Sequence, residues 1–408
     1  MSNFVDEKLI LSKIKIRKRK LTSTYQNLKL TMGKYIMKKS LLALAVVAAA
    51  TSANAATVYD KDGTSLAVGG RVQAVVYNGN AAGIAENDAG LVNSARLNIA
   101  GSTKINDSVS VFAFSEWNMA DGNTSGQSWG DSINTREQYV GADYGDFGKI
   151  LGGKTYDAAN AVLAATDVFE DFGARLQGSI NGDRRTGMFR YVYDNNGIFG
   201  SVSYQTAADD STVQGSKADV EGGFAAAAGY TFDNVVFGPL SFKAGYSYVK
   251  GQDDFSKTIG QFENSETFDN FKVISASIAW GSTDNGLYIG ALYNTQRVKQ
   301  RANDFVPSNS SNSDKKKGYE FVVGYTFDNG IGAFTGYNFV DVKTKEGSIN
   351  SDSAIYRRVP VYVNYAINDN FNIWGEAEFD ANSTTEKDHQ LQGGETGTML
   401  SAGARYTF

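Results

Sequence analysis

Three acidic side chains stand close together in one unusual interval of the chain, at Asp167, Glu170 and Asp171. The interval covers residues 155–186 and opens with the apolar run 158–165, whereas the other intervals between strand-like segments are rich in Asp, Asn, Ser, Thr and Lys. Carboxylates held across a narrow gap of low dielectric act strongly on other charges. We therefore interpret the interval as an ordered insert that carries an acidic site, and the alternative is a solvated acidic loop.

An acidic site of this kind needs cations opposite it, and Arg71 and Arg96 are the clearest candidates. Successive side chains of a strand point to opposite faces of the sheet. Because the neighbouring Val72 and Leu97 belong to apolar faces, Arg71 and Arg96 are predicted to lie on polar faces. Arg136 has polar residues on both sides, so alternation alone does not assign its face.

Enzyme chemistry is poorly supported by the sequence. The chain has no cysteine, which excludes disulfides, thiol catalysis and Cys-ligated zinc. The single histidine, His389, lies in a polar segment with no strand-borne nucleophile to activate, and one histidine cannot build the usual zinc site. Glu376 and Glu378 share one strand face, which favours a lining role over an acid/base pair. We predict no catalytic residue, no metal site and no cofactor.

The first 55 residues are predicted to be targeting and leader sequence. Residues 37–55 combine a charged start, a short apolar run and an Ala-Asn-Ala end, which are the parts of a secretory signal peptide cleaved before Ala56. The apolar run is shorter than the roughly 20 residues that a membrane-spanning helix needs. Residues 1–36 are interpreted as an over-extended start or a leader, and the basic run 17–20 leaves a nucleic-acid patch as the alternative.

Removal of residues 1–55 makes the remaining chain strongly acidic. The whole chain carries 39 basic and 44 acidic residues, and the segment removes 11 basic and two acidic ones. The remaining 28 basic and 42 acidic residues give a net charge of about −14. This balance argues against nucleic acid as a partner and favours a field that attracts cations.

Residues 56–408 are uniform in composition along their length, with no linker rich in Pro or Ser. The whole chain contains 44 glycines, 22 tyrosines and 24 phenylalanines. Alternating polarity indicates sixteen strands, and sixteen strands would enclose a lumen too wide for side chains to fill. Their connections alternate between short, Asn- or Gly-containing turns and long loops, which is typical of outer-membrane barrels. The predicted strands are 65–77, 94–105, 108–118, 134–144, 148–154, 187–195, 197–206, 222–232, 240–250, 271–280, 286–296, 318–328, 331–342, 356–366, 371–381 and 397–408.

Aromatic pairs recur beside short turns. The motif Gly-Tyr-Thr-Phe-Asp-Asn occurs at 229–234 and again at 324–329, and the chain ends on Arg-Tyr-Thr-Phe. Tyr and Phe two positions apart share one face, as in an aromatic girdle at a membrane interface. Phe408 is predicted to bring the last strand against the first, which leaves no edge unpaired. Pro360 interrupts an otherwise regular strand, and we expect a bulge or a strand start there.

The sequence resembles a known family in four places: ATVYDKDG at 56–63, ARLNIAG at 95–101, GDFGK at 145–149, and the terminal Phe408. Together these motifs are similar to those of the general diffusion porins of Gram-negative outer membranes. The likeness covers essentially all of residues 56–408. It implies an all-β, sixteen-stranded antiparallel transmembrane barrel, assembled as a homotrimer, whose third long loop folds inward near 155–186.

The same resemblance assigns roles to site residues. It implies that the acids around Phe172-Gly173 line a constriction, although this chain lacks the proline often found before the acid and has Ala174 after the glycine. It also implies a basic wall opposite these acids. That wall would be formed by Arg71, Arg96, Arg136 and either Arg184 or Arg185, and Arg185 is the stronger candidate. Interior arginines paired with a nearby acid such as Glu116 are the alternative.

We therefore expect a water-filled outer-membrane channel for passive diffusion of small hydrophilic solutes and ions, weakly cation-preferring, in contact with outer-membrane lipid and lipopolysaccharide. One alternative is a channel for a single solute class. Another is an adhesin or receptor barrel that acts through its long loops, among them the predicted loop 295–318 with its lysines 315–317.

Overall fold

The computed structural model describes residues 55–78, 89–121, 133–173, 184–213, 216–252, 268–300, 313–346, 349–383 and 397–408. These ranges contain eighteen strands. In chain order they are β1 (Ala56–Lys61), β2 (Thr64–Tyr77), β3 (Gly90–Lys104), β4 (Ser110–Asp121), β5 (Ile133–Asp143), β6 (Lys149–Thr155), β7 (Arg185–Asn195), β8 (Ile198–Gln205), β9 (Ala208–Val213), β10 (Ser216–Val235), β11 (Gly238–Gly251), β12 (Phe268–Gly281), β13 (Gly286–Gln300), β14 (Ser313–Thr326), β15 (Ile331–Glu346), β16 (Ile349–Asn368), β17 (Phe371–Asp380) and β18 (Met399–Thr407).

Sixteen of these strands form a closed antiparallel ring. Strands β2 to β8 pair in sequence, β8 pairs with β10, β10 to β18 pair in sequence, and β18 pairs with β2. The remaining two strands, β1 and β9, pair with the ends of β2 and β10. The predicted sixteen-stranded barrel is therefore confirmed, and each predicted segment overlaps one strand of the ring. Strands β1 and β9 were not predicted.

The ring closes at β2, where two chain segments lie end to end. Strand β1 pairs with β2 over Thr64 to Val68, and β18 pairs with β2 over Arg71 to Tyr77. Between them, the Gly70 amide donates to the Phe408 carbonyl at 2.8 Å and the Phe408 amide donates to the Gly70 carbonyl at 3.0 Å. Phe408 thus lies at the closing seam, and β1 continues the line of β18.

The two faces of the sheet differ sharply in character. On β2, Val72 is 54% exposed while Val75 is only 1% exposed, and on β18 Leu400 is 47% exposed while Ser401 is buried. Exposed apolar side chains recur on alternate positions around the ring, as β14 illustrates with Phe321 and Val323. We refer to this side as the apolar face and to the other side as the polar face. The predicted alternation is confirmed.

Exposed aromatic pairs lie beside the short turns, as predicted. Tyr230 and Phe232 are exposed with ring centroids 4.7 Å apart, next to the β10–β11 turn. Tyr325 and Phe327 are exposed with centroids 4.8 Å apart, next to the β14–β15 turn. Tyr406 is also exposed, close to the seam.

Several strands extend further towards the long loops than alternation indicates. The bounds of the predicted loop 295–318 are wrong, because β13 continues to Gln300 and β14 begins at Ser313. The lysines 315–317 therefore belong to a strand. Their flanking residues are polar on both faces, so a period of two is not visible in the sequence there.

Pro360 lies in the middle of β16, so the expected bulge or strand start is wrong. Strand β15 pairs Thr335 with Val361 and Asn338 with Arg358 in one unchanged register, and the two intervening pairs are missing from the ladder. The Thr335 hydroxyl donates to the Pro360 carbonyl at 2.9 Å. The missing proline donor is accommodated by a local gap in pairing instead of by a shift in register.

Among the described residues, two short 3-10 helices accompany the strands, Gly145–Phe147 and Ala158–Ala165. In the described part of the chain, no helix has the length and apolarity required to cross a membrane. The predicted leader and nearly all of the predicted signal peptide fall on residues 1–54, and His389 falls in 384–396; both stretches are outside the described residues.

Candidate functional site

The insert between β6 and β7 is rooted by Asp157, which is buried. Its carboxylate caps the helix Ala158–Ala165 by accepting from the amides of Ala159 and Asn160 at 3.0 and 3.2 Å. The same carboxylate accepts from Ser247 of β11 at 2.6 Å and pairs with Arg185 of β7 at 2.7 Å. The Arg185 and Asp157 side chains are only 2% and 1% exposed. Loss of one partner of a buried pair costs about 3–5 kcal/mol, so this root is a rigid fixing point.

The apolar run of the insert packs against the polar face of the sheet. Val162 and Leu163 form one buried cluster with side chains of β8, β10, β13 and β15, among them Leu292. Close approach requires glycine on the strands, because a Cβ at Gly245 would lie 3.0 Å from Val162 and a Cβ at Gly290 would lie 2.0 Å from the Ala165 carbonyl. The run is therefore a packing surface, which explains its apolar composition.

The end of the insert helix is held by two further strands. Tyr288 of β13 donates to the Ala165 carbonyl at 2.7 Å, and Thr166 donates to the buried Glu320 of β14 at 2.7 Å. Each bond satisfies a polar group that would otherwise be buried without a partner. The chain then turns towards β16 and β17, where Phe169 packs against Tyr362.

The tip of the insert is bound by one carboxylate of the barrel wall. Glu376 of β17 accepts from three consecutive backbone amides, those of Glu170 and Asp171 at 2.9 Å and that of Phe172 at 2.6 Å. Gly173 follows with a positive φ of 72°, and a Cβ there would lie 2.5 Å from the Phe169 ring. The Phe-Gly pair therefore closes a tight turn around Glu376.

Asp171 is bound to the wall by side chains from three strands. Its Oδ1 accepts from the Tyr77 hydroxyl at 2.7 Å, and its Oδ2 accepts from the Trp374 indole at 2.8 Å and from the Ser401 hydroxyl at 2.6 Å. Three donors of this kind hold a carboxylate in one orientation. Asp171 is thus a structural anchor on β2, β17 and β18.

Glu170 and Arg405 of β18 form a bidentate salt bridge. Nη1 of Arg405 donates to Oε1 at 2.7 Å, and Nη2 donates to Oε2. Arg405 also donates from Nε to Gln73 at 3.0 Å and lies over the Trp374 ring at 5.0 Å. The Glu170 side chain remains 23% exposed, so the pair borders open space.

Asp167 borders a cavity of about 360 Å³ beside the insert helix. Tyr156, Asn160 and Arg184 also line this cavity, together with apolar side chains of the helix. The Arg184 guanidinium stacks over the Tyr156 ring at 4.4 Å. Burial raises the pKa of Tyr156 and lowers the pKa of Arg184. Of the three predicted acids, Asp167 is the one that lines this cavity.

The predicted basic residues lie together on β2, β3 and β5. Arg71 and Arg96 are directly paired across β2 and β3. Arg96 donates to Asn118 at 3.1 Å and lies 3.8 Å from Glu116, and Arg136 donates to Glu116 at 2.6 Å. Glu116 of β4 therefore lies between two arginines, as in the alternative that pairs interior arginines with an acid.

The two neighbouring arginines at the start of β7 have different surroundings. Arg185 is buried against Asp157 at the root of the insert. Arg184 borders the cavity, and its charge interacts with those of Arg136, Glu137 and Glu116. Arg184 is therefore the member of the pair that lies with the basic cluster.

Three residues central to this site are not predicted from sequence to bind the insert. Glu376 is predicted only to have a lining role, and Arg405 has no predicted role, because the contacts of both depend on which strands close the ring. Asp157 was not singled out, although an Asp directly before an apolar helical run is a typical helix cap. Among the described residues, no group of three or more acids and histidines is arranged to hold a metal ion.

Comparison with known proteins identifies the family. A family model described as Gram-negative porin matches residues 42–284, which is more than half of the chain. The chain belongs to the Gram-negative porin family. As a porin it is an outer-membrane channel and not an enzyme, which confirms the resemblance noted in the sequence.

Individual relatives cover nearly the whole porin. Outer membrane porin protein OmpD of Citrobacter koseri is 28% identical over 390 residues, which is 91% of this chain and all of the relative. Outer membrane porin PhoE of Enterobacter cloacae is 26% identical over the same share of each chain.

Solved structures show the same fold at lower identity. OmpF of Salmonella typhi, solved with daunomycin, aligns with a TM-score of 0.65 and 20% identity over 86% of this chain and all of that chain. OmpT of Vibrio cholerae, in a trimer form, aligns with a TM-score of 0.61 and 16% identity over 85% of this chain and all of that chain.

Proposed function

We propose that this porin passes small hydrophilic solutes and ions by passive diffusion with a weak preference for cations, and that the insert of residues 155–186 forms one side of its constriction. The observation that carries the proposal is the path of the insert, from Ser247 on β11 through Glu320 on β14 to Glu376 on β17 and Tyr77 on β2. All these partners lie on the polar face. An insert attached to the polar face of strands on different sides of a closed ring lies across the lumen and narrows it.

The charges around the insert support a preference for cations. Glu170, Asp171 and Glu376 lie together at the tip, where Arg405 pairs with Glu170 and Arg71 also interacts with Glu170. Asp167 adds a fourth carboxylate at the cavity. The opposite arginines on β2, β3 and β5 are partly offset by Glu116. A few fixed charges at the narrowest point set selectivity, because the gap is small and its walls have a low dielectric.

Planar-bilayer recording tests this proposal. The purified protein, reconstituted in neutral phosphatidylcholine, should give stepwise ohmic currents. In a potassium chloride gradient, the sign of the reversal potential should show that potassium is more permeant than chloride. Absence of stepwise current would refute diffusion through this barrel, and a reversal potential on the chloride side would refute the cation preference.

We also propose that the porin is a homotrimer that contacts lipopolysaccharide. The trimer is supported by OmpT of Vibrio cholerae, which is described in a trimer form. Light scattering of the detergent-solubilised protein should give three copies per particle, and a single copy would refute the trimer. The adhesin alternative loses its main support, since the lysines 315–317 lie in strand β14 and not in a long loop.

A further inference from the structure

The two-residue turn between β10 and β11 contains a strained and exposed valine. Val236 has a positive φ of 58° and is 93% exposed. A hairpin turn with positive φ at its first central residue favours glycine, and a β-branched residue there is a conformational outlier. The neighbouring β7–β8 turn uses Asn196 and Gly197 for its positive φ values, and both residue types suit that conformation. Packing within the chain therefore does not explain the valine at position 236.

The β10–β11 turn is also apolar and uncharged. Residues 235–238 read Val-Val-Phe-Gly. Among the described short turns, those of β7–β8, β12–β13, β14–β15 and β16–β17 each contain Asn or Asp. Asn and Asp suit turns in water because their side chains bind both the backbone and solvent. An apolar tip on the same rim indicates a different environment.

The turn is folded against the apolar face of β12. Phe237 stacks on Trp280, with ring centroids 4.1 Å apart and 24° between the ring planes. Residues directly opposite each other in antiparallel strands share one face. Trp280 is in register with Leu240, which lies two positions from the exposed Phe242 and therefore on the apolar face. The stack thus holds the turn on the side of the barrel that contacts lipid.

Polar groups of the turn and of the stack bind each other. The Trp280 indole donates to the Val235 carbonyl at 2.7 Å, and the Phe237 amide donates to the same carbonyl at 2.8 Å. In lipid, a polar group without an internal partner is costly. The indole and the Val235 carbonyl can therefore leave water without losing their hydrogen bonds.

The stack lies close to the level of the membrane interface. Tyr230 and Phe232 are exposed beside this turn, where an aromatic girdle marks that interface. Trp280 is near the same level, because Phe232 and Trp280 are both in register with Leu240. Short turns of outer-membrane barrels lie on the periplasmic side. The lipid nearest to Phe237 is therefore that of the periplasmic leaflet.

We propose that the turn of residues 235–238 inserts Val236 and Phe237 among the acyl chains of phospholipid in the periplasmic leaflet and anchors this part of the barrel there. The absence of charge and the continuity with the apolar face favour acyl chains over a soluble partner. Transfer of the Val236 side chain from water to lipid offsets the strain of its backbone. The inference depends on the outer-membrane location and not on the proposed ion preference or trimer.

Because the chain has no cysteine, a single introduced cysteine can report the surroundings of the turn. Val236→Cys is labelled with a nitroxide and reconstituted in vesicles of phosphatidylethanolamine and phosphatidylcholine. Its spin relaxation should respond more to oxygen, which concentrates in lipid, than to a polar nickel complex. Phe232→Cys provides the lipid-facing reference, and Asn196→Cys provides the water-facing reference in a polar turn. A ratio of the two responses that matches Asn196→Cys would overturn the proposal.

The unlabelled thiol provides a second measurement that does not depend on the nitroxide. A permanently charged thiol reagent, present on both sides of the vesicles, should modify Val236→Cys about tenfold more slowly than Asn196→Cys, because the reagent and the reactive thiolate both avoid apolar surroundings. Equal rates would overturn the proposal. Slow modification together with a weak response to oxygen would indicate burial against a second copy of the chain, and that result would overturn it as well.

Discussion

The guanidinium group of Arg405 holds both carboxylate oxygens of Glu170, across a sequence separation of 235 residues. The contact joins the tip of the insert to the last strand of the ring. Because the guanidinium is always charged and matches the carboxylate geometry, the pair is locally close to neutral. Glu170 therefore contributes little net field while Arg405 is present.

Removal of Arg405 should expose the charge of Glu170. Arg405→Gln is expected to shift the reversal potential in a potassium chloride gradient further to the cation side, since one unit of positive charge is lost beside an unpaired carboxylate. The double variant with Glu170→Gln should return close to the wild-type value. A double variant that stays as cation-selective as Arg405→Gln would show that Glu170 does not face the permeating ions.

Asp167 and Asp171 should respond differently to neutralisation. Asp167→Asn removes a charge at the cavity and is expected to reduce cation preference with little change in conductance. Asp171→Asn instead weakens an anchor held by three donors, and the expected result is noisier current through a less firmly fixed tip. Single-channel recording of both variants measures selectivity and noise together. The assignment of Asp171 as an anchor would be contradicted if Asp171→Asn shifted the selectivity as much as Asp167→Asn does and added no noise to the current.

Glu376 should control how firmly the tip is held. Glu376→Gln replaces one oxygen with a donor that faces backbone amides, and hydrogen bonds to a charged group are worth about 1.5–3 kcal/mol each. We expect faster proteolysis within residues 170–173 and larger current fluctuations than in the wild type. Glu116→Gln is the control, because it removes a carboxylate that lies beside Arg96 and Arg136 of the barrel wall instead of binding the insert. The role assigned to Glu376 fails if both variants resist proteolysis equally.

The contribution of the Asp157–Arg185 pair should be measurable as a change in the stability of the barrel. Arg185→Met leaves the buried carboxylate unpaired and should cost about 3–5 kcal/mol, seen as a lower temperature of heat-induced unfolding on gels. Addition of Asp157→Asn should restore part of the loss, because the two residues are coupled. Arg184→Gln, at the cavity, should change selectivity and leave the unfolding temperature nearly unchanged. Simple additivity of the Asp157 and Arg185 effects would contradict the pairing.

The ring was predictable from sequence because its strands separate a lipid-compatible face from a polar one at a period of two. Val72 and Arg71 show this pattern on neighbouring positions. Strands β1 and β9 lack it: β1 is exposed at all six residues, and β9 is rich in polar side chains. The outer ends of β13 and β14 lack it as well, so alternation does not identify Lys315 as a strand residue.

The site was predictable only in part, for a related reason. The acids of the insert are recognisable from composition, but their orientation depends on partners more than 200 residues away, such as Glu376 and Arg405. Those partners are determined by which strand closes against β2. Alternation gives the face of each residue and not its neighbours across the ring.

The attachment of the insert also has a consequence for the order of assembly. Its partners come from β2, β11, β14, β17 and β18, so the full set of these bonds cannot form until the ring has closed. Contacts of such long sequence separation form slowly. A refolding chain should therefore acquire a wide barrel first and seat its insert last. Because the Trp374 indole donates to Asp171, a change in the fluorescence of Trp374 should report the time course of that final step.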